Sequence, residues 1–220
     1  MLDRPHRDLR TRAEPELGQN VAHTVSCAAP YDSASRATAS ASTAGSDGAA
    51  TLGRVSIDLT VQQQLDRLGV PFDIFPCDPA LADTANFCAA YGFKPEESAN
   101  TIVVVGKSDP PVYAACVVLA TTRLDVNRVV RGRFGTRKAS FAPSEETRAL
   151  TGMEIGGVTV FGLPEDLPIW IDARVMEPER IVLGGGSRST KVIAPPEILL
   201  RLPLAEVVEG LANPLPATDG

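Results

Sequence analysis

Two glycine-rich segments carry most of the chemical promise of this 220-residue chain. The first reads Gly152-Met153-Glu154-Ile155-Gly156-Gly157-Val158-Thr159-Val160-Phe161-Gly162-Leu163-Pro164, the second Gly184-Gly185-Gly186-Ser187-Arg188-Ser189. Glycine tolerates positive φ and lets a ligand approach the backbone closely. Two such loops therefore suggest main-chain donors that shape a pocket. They also serve as plain tight turns at strand ends. Neither segment is a P-loop, because neither ends in Gly-Lys-Ser/Thr, and a strand rather than a helix is expected after the triple glycine, unlike a dinucleotide fingerprint. Ser187 and Arg188 stand where a hairpin tip can meet ribose or phosphate.

Other chemistries are excluded by what is missing. His6 and His23 both precede the globular region, which leaves no histidine there for a triad or a zinc site. Cys27, Cys77, Cys88 and Cys116 form no C-x-x-C pair, and the apolar neighbours of Cys88 and Cys116 predict buried, reduced thiols. A net charge of −6 argues against a protein that coats nucleic acid. Locally the balance reverses: Arg123, Arg128, Arg131, Arg133, Arg137 and Lys138 face only Asp125 as a counter-charge. That segment is either a solvated helix face or a phosphate-contacting patch. No run approaches the ~18 apolar residues of a membrane helix, and no signal-peptide core follows Arg4, Arg7, Arg10 and Arg12, so a cytoplasmic location is expected.

The elements that must position these residues begin after a small-residue, low-complexity stretch, Ser33 to Gly45. Residues 1–52 are expected to be a disordered tail, 53–212 the domain and 213–220 a flexible C-terminus. Val61, Leu65 and Leu68 have helical spacing, with Ser56 as cap and Gly69 as terminator. Pro71 to Pro76 alternates like a strand, and a helix is predicted from Asp83 or Thr84 to Tyr91, ending at Gly92. Asn100 to Val105 is a β-branched run, expected to pair with Val112 to Leu119 as an antiparallel hairpin apolar on both faces.

Asp125 can cap a helix carrying Val126, Val129, Val130 and Phe134, and Ser144 one running to Leu150. Strands are expected at 138–141, 168–172, 180–183 and 190–193, with a final helix starting at Pro195-Pro196. Hairpins interleaved with helices predict a mixed α+β sheet rather than a doubly wound one.

The order of parts then resembles a known family. It comprises the strand after Ser98-Ala99-Asn100-Thr101, Arg123-Leu124-Asp125, Phe141-Ala142-Pro143-Ser144-Glu145-Glu146, Leu150-Thr151-Gly152 and Gly156-Gly157 through Pro164, followed by Trp170-Ile171-Asp172 and Gly184-Gly185-Gly186. This set is similar to the YbaK family of aminoacyl-tRNA deacylases and to the editing domain of prolyl-tRNA synthetases, over about 56–212. The resemblance implies a mixed sheet curling around a pocket, flanked by helices, in a metal- and cofactor-independent hydrolase. Its substrate would be the ester of a small mischarged amino acid on the tRNA acceptor end, with an aminoacyl-tRNA synthetase as a further partner and no DNA or membrane partner.

On this resemblance the catalytic candidates are Asn100, Gly156 and Gly157. Substrate would be bound by Phe161, Gly162, Gly184, Gly185, Gly186 and Ser187, and tRNA contacted by Arg128, Arg131 and Arg133. Two positions depart from the family pattern: Asn100 stands where a lysine is common, and Val160 replaces a proline before Phe161. Loss of that lysine opens an alternative, a degenerate domain that binds charged tRNA or a synthetase without turnover.

Overall fold

The computed structural model describes residues 57–216. The expected tail and Ser56 lie outside them, and the first helix, α1 (Leu59–Leu68), is capped by Asp58, whose carboxylate accepts from Thr60 N–H at 2.8 Å. Gly69 ends the helix at φ +64°, and Val61 and Leu65 point inward one turn apart. Next come β1 (Asp73–Pro76), α2 (Thr84–Tyr91, closed by Gly92 at φ +74°), β2 (Ala99–Gly106), β3 (Val112–Leu119) and β4 (Thr122–Leu124). The basic segment opens as a π-helical turn, Val126–Val130, capped by Asp125, and continues as α3 (Arg131–Phe134).

After β5 (Ala139–Phe141), α4 (Ser144–Thr151) starts from Pro143, and Ser144 makes no side-chain cap. The chain closes through β6 (Ile169–Asp172), β7 (Ile181–Gly184), β8 (Thr190–Ala194), β9 (Ala205–Val208) and β10 (Ala212–Pro214). Two expectations are corrected. The segment after Pro195 is a 3-10 helix (Pro196–Arg201), not an α-helix. And β10 pairs with β4 through Pro214, carrying the fold past the expected boundary at 212.

The fold is mixed α+β. Its main sheet has the order β5-β2-β3-β6-β9, with β6 parallel to β3 and β9 parallel to β6. A smaller antiparallel sheet, β1-β8-β7, packs against it. Because strand side chains alternate, β2 and β3 feed two cores. Ala99, Val103, Ala115 and Val117 join Val61, Leu65, Phe161, Leu183 and Val192 between the sheets. Val104, Ala114, Cys116 and Val118 pack with Val130, Trp170 and Leu211 on the far face. On the outer face of the small sheet, Val182 and Ile193 meet Phe87, Cys88 and Phe93. The carboxylate of Asp172, wholly buried at the end of β6, is satisfied by Arg174 and by Ala212 N–H at 2.8 Å, which ties β10 to the main sheet.

Candidate active site

The site begins as a gap in hydrogen bonding along β2. Its pairing with β3 is continuous, but on its other edge β5 engages only Val104 to Gly106, and Ala142 N–H reaches back to Val103 O at 2.9 Å. At the opposite end Ser98 meets Val182 of β7 in one parallel bridge. Antiparallel alternation turns the peptide groups of Thr101 toward this open edge. A cavity of about 350 Å³ occupies the gap, between the two sheets, the start of α2 and the loop at Ile155-Gly156. That volume is at the low end for small-molecule sites.

Asn100 lines the cavity, and its Oδ1 accepts from the Thr84 hydroxyl at 2.6 Å, which fixes the amide with its N–H groups as the remaining donors. The Asp83 carboxylate stands nearby, 3.6 Å from Arg188 Nη1. Val103, Val158, Val182 and Leu183 give apolar walls, while the exposed side chains of Phe141 and Ile155 rim the opening.

Of the glycines in the two loops, only Gly156 and Gly184 line this cavity. Gly156 sits at φ +92°, and among the described residues no group accepts from its N–H. The other glycines are occupied with one another and with their own loops. Gly157 N–H donates to Glu154 O at 2.9 Å, Gly185 N–H to Thr190 O at 3.1 Å, and Gly186 N–H to Gly157 O at 2.9 Å. Gly162 N–H donates to Gln64 on α1, and Phe161 is core. Ser187 stays in its own turn, 3.2 Å from Thr190 Oγ1. At Gly157 and Gly184 the group that approaches most closely is the backbone of the facing loop, Ser187 and Val158 respectively.

Arg188 fastens the rim. Its guanidinium donates to Pro79 O at 3.1 and 2.9 Å and to Ile155 O at 3.1 Å, joining the segment before α2 to the Gly156 loop. The arginines of the basic segment stand elsewhere. Arg133 pairs with Glu206 on β9 and lies over the Trp170 ring, at the opposite end of the main sheet from β5. Arg128 pairs with Asp125 and is largely exposed, and Arg131 is exposed.

Sequence reasoning missed Lys191. It lies on β8, the central strand of the small sheet, opposite Phe75 and Gly184, and is 6% exposed. Nζ donates to Ala82 O at 2.7 Å and sits 5.3 Å from the Phe87 ring centroid, and the residue lines the cavity. The available signal was a lysine inside an apolar β-run, Thr190-Lys191-Val192-Ile193-Ala194.

Burial holds the Lys191 ammonium below the ordinary lysine value of 10.5, against the opposing pull of the Asp83 carboxylate. Below its folded value the cost of burying the charge is present in full, and it disappears as pH rises toward 10.5. Lys191→Met is therefore expected to gain about 1 kcal/mol of stability at neutral pH. That gain should shrink in alkaline buffer, as thermal unfolding at several pH values will show.

The thiols are quiet: burial pushes Cys77 up and Cys116 to about 12, so both stay protonated. Among the described residues no group of His, Cys, Asp and Glu is arranged to hold a metal ion, and no helix is long and apolar enough to cross a membrane. What the cavity offers is an array of hydrogen-bond donors beside an apolar wall, suited to a polar carbonyl group carrying a small side chain.

A protein of Enterococcus faecalis (strain ATCC 700802 / V583) that carries the name Cys-tRNA(Pro)/Cys-tRNA(Cys) deacylase EbsC is 25% identical over 110 residues, 50% of this chain. The chain spans 65% of that protein's length. A crystal structure described as a trans-editing enzyme for prolyl-tRNA synthetase matches with a TM-score of 0.60 at 25% identity, covering 70% of this chain and 98% of that one. The hypothetical protein APE2540 shares the fold, with a TM-score of 0.60 at 20% identity over 70% of this chain and 99% of its own. The profile of the aminoacyl-tRNA editing domain matches residues 78–202, more than half of the sequence, and the chain belongs to that family.

Proposed function

We propose that this protein is a freestanding deacylase that removes a small, wrongly attached amino acid from the 3′ end of tRNA in the cytoplasm. The observation that carries the reading is the donor-lined cavity on the open edge of β2, where Asn100 and Gly156 face one space of about 350 Å³. In this reading the aminoacyl group enters the cavity, and the amide of Asn100 and the N–H of Gly156 donate to its ester oxygens. Water adds to the acyl carbon, the bond to the ribose oxygen breaks, and a proton passes to that oxygen. The nucleophile is positioned rather than strongly activated, and the terminal ribose hydroxyl or a substrate thiol can guide it. The space favours alanine, serine, cysteine or threonine over larger side chains.

The rim favours a nucleotide. Phe141 is 55% exposed and Ile155 56%, both at the opening, an apolar clamp of the kind on which an unpaired base stacks. The acceptor arm would extend outward from there, and Arg128 and Arg131 are its candidate phosphate contacts; Arg133, held by Glu206, contributes less.

Single-turnover hydrolysis of a panel of mischarged tRNAs tests the proposal. Release of a small amino acid is expected, and Phe141→Ala should weaken tRNA binding about tenfold, within the roughly 1–3 kcal/mol of one stacked base. Tight binding with no release by the parent would instead identify a degenerate editing domain that recognises charged tRNA.

A further inference from the structure

The family's common lysine is absent from β2, yet the cavity holds a lysine that arrives from the other sheet. We propose that Lys191 restores the missing positive charge, donating from Nζ to the ester oxygen that becomes negative as water adds. The inference rests on the deacylase reading above and assigns that reaction a residue from a different strand.

Four observations carry it. Lys191 occupies the middle strand of β1-β8-β7, where a charged side chain costs stability and a structural role would be met by an apolar residue. Its neighbours across the strands, Phe75 and Gly184, have no charge to offer it. Among the described residues no carboxylate lies within salt-bridge distance of Nζ; Ala82 O takes one of its three donors and the Phe87 ring lies beside it. Finally, Lys191 and Asn100 line the same cavity, reaching it from different strands.

The charged groups around Nζ come from several elements. Asp83 at the start of α2 favours the ammonium and Arg188 from the β7–β8 turn opposes it, while the thiols Cys77 and Cys88 also face it. Asp83 is itself drawn toward Arg188 at 3.6 Å and is mostly exposed. An incoming oxyanion would thus meet an ammonium that no buried carboxylate already neutralises, the condition under which one donor contributes most. Throughout the step Lys191 keeps its proton: the water oxygen bonds to the acyl carbon, the acyl–ribose bond breaks, and the transferred proton ends on the ribose oxygen.

The test uses the full chain, Lys191→Met and two non-hydrolysable probes: an aminoacylamino-adenosine, neutral at the reacting centre, and an adenosine aminoalkylphosphonate, tetrahedral and anionic there. Lys191→Met is expected to lose roughly 100-fold in single-turnover rate. It should bind the phosphonate at least tenfold more weakly and the amide within threefold of the parent, with an undiminished melting temperature. Parental rates and phosphonate affinity in Lys191→Met would overturn the role of Lys191 and leave the deacylase reading standing. A parent that hydrolyses no tRNA, but binds the phosphonate through Lys191, would overturn the deacylase reading and keep the charge. A parent that neither hydrolyses tRNA nor binds either probe overturns both.

Discussion

Gly157→Ala should lower the melting temperature by roughly 6–12 °C, the equivalent of about 3 kcal/mol in a domain of this size. A Cβ on Gly157 would lie 2.5 Å from the carbonyl carbon of Ser187 and 2.7 Å from its oxygen. Both are backbone atoms, so no rotamer change relieves the clash. The loops must separate, and the hydrogen bond from Gly186 N–H to Gly157 O goes with them. Gly152→Ala is the internal control. That glycine sits at φ +71° with nothing within 4 Å of its would-be Cβ, so only the left-handed strain of about 1–2 kcal/mol applies. Thermal unfolding of both variants decides the matter: equal drops would mean that the loop contact contributes nothing beyond backbone strain.

The second large effect concerns Asn100. Its replacement by alanine should cut single-turnover deacylation about 100-fold, close to 2.7 kcal/mol of transition-state stabilisation. The change in stability should be near 1 kcal/mol, since Thr84 loses its acceptor but lies at the start of a helix, where water can replace it. Asn100→Lys is the informative companion. In a cavity without another cation it would supply the charge that the family resemblance implies at this position and raise the rate. Here a second ammonium would share a small space with Lys191, and like charges depress one another's protonation. No gain from Asn100→Lys in the parent, but a gain in the Lys191→Met background, is the expected pattern. A gain in both backgrounds would argue that the two positions act independently.

Much of this architecture was legible from local signals. The β2–β3 hairpin announced itself through β-branched residues on both faces, and α2 through its terminating Gly92, because those signals reside in contiguous residues. What escaped was whatever a distant partner decides. Ala205-Glu206-Val207-Val208 has little strand character of its own and becomes β9 only by parallel pairing with β6. The segment after Pro195 carries apolar residues at helical spacing, yet it buries Ile198 and Leu199 from a 3-10 turn.

The candidate site divides the same way. Asn100 and Gly156 could be singled out from their motifs, and both reach the cavity. Gly157, Gly185 and Gly186 came from the same motifs, but the groups that approach them are Ser187, Thr190 and Val61 of the chain itself. Lys191 was legible only as part of a strand, because its burial is created by Phe87 of α2, Ala82 before it and Gly184 of β7.

The bridge between Ser98 and Val182 acts as the corner of a jaw. One jaw is the free stretch of β2; the other is the small sheet, backed by the aromatic stack of Phe75, Phe87 and Phe93, with ring centroids 5.0–5.8 Å apart. How wide the jaw stands is set by the thickness of that stack and by the grip of Arg188 at the far end. On the proposed deacylase reading, selection by size therefore need not change any residue that lines the cavity. Trimming Phe75 or Phe93, neither of which lines the cavity, would tilt the small sheet and regauge the opening from behind. Related chains can in this way diverge in the amino acid they accept while their contact residues stay the same.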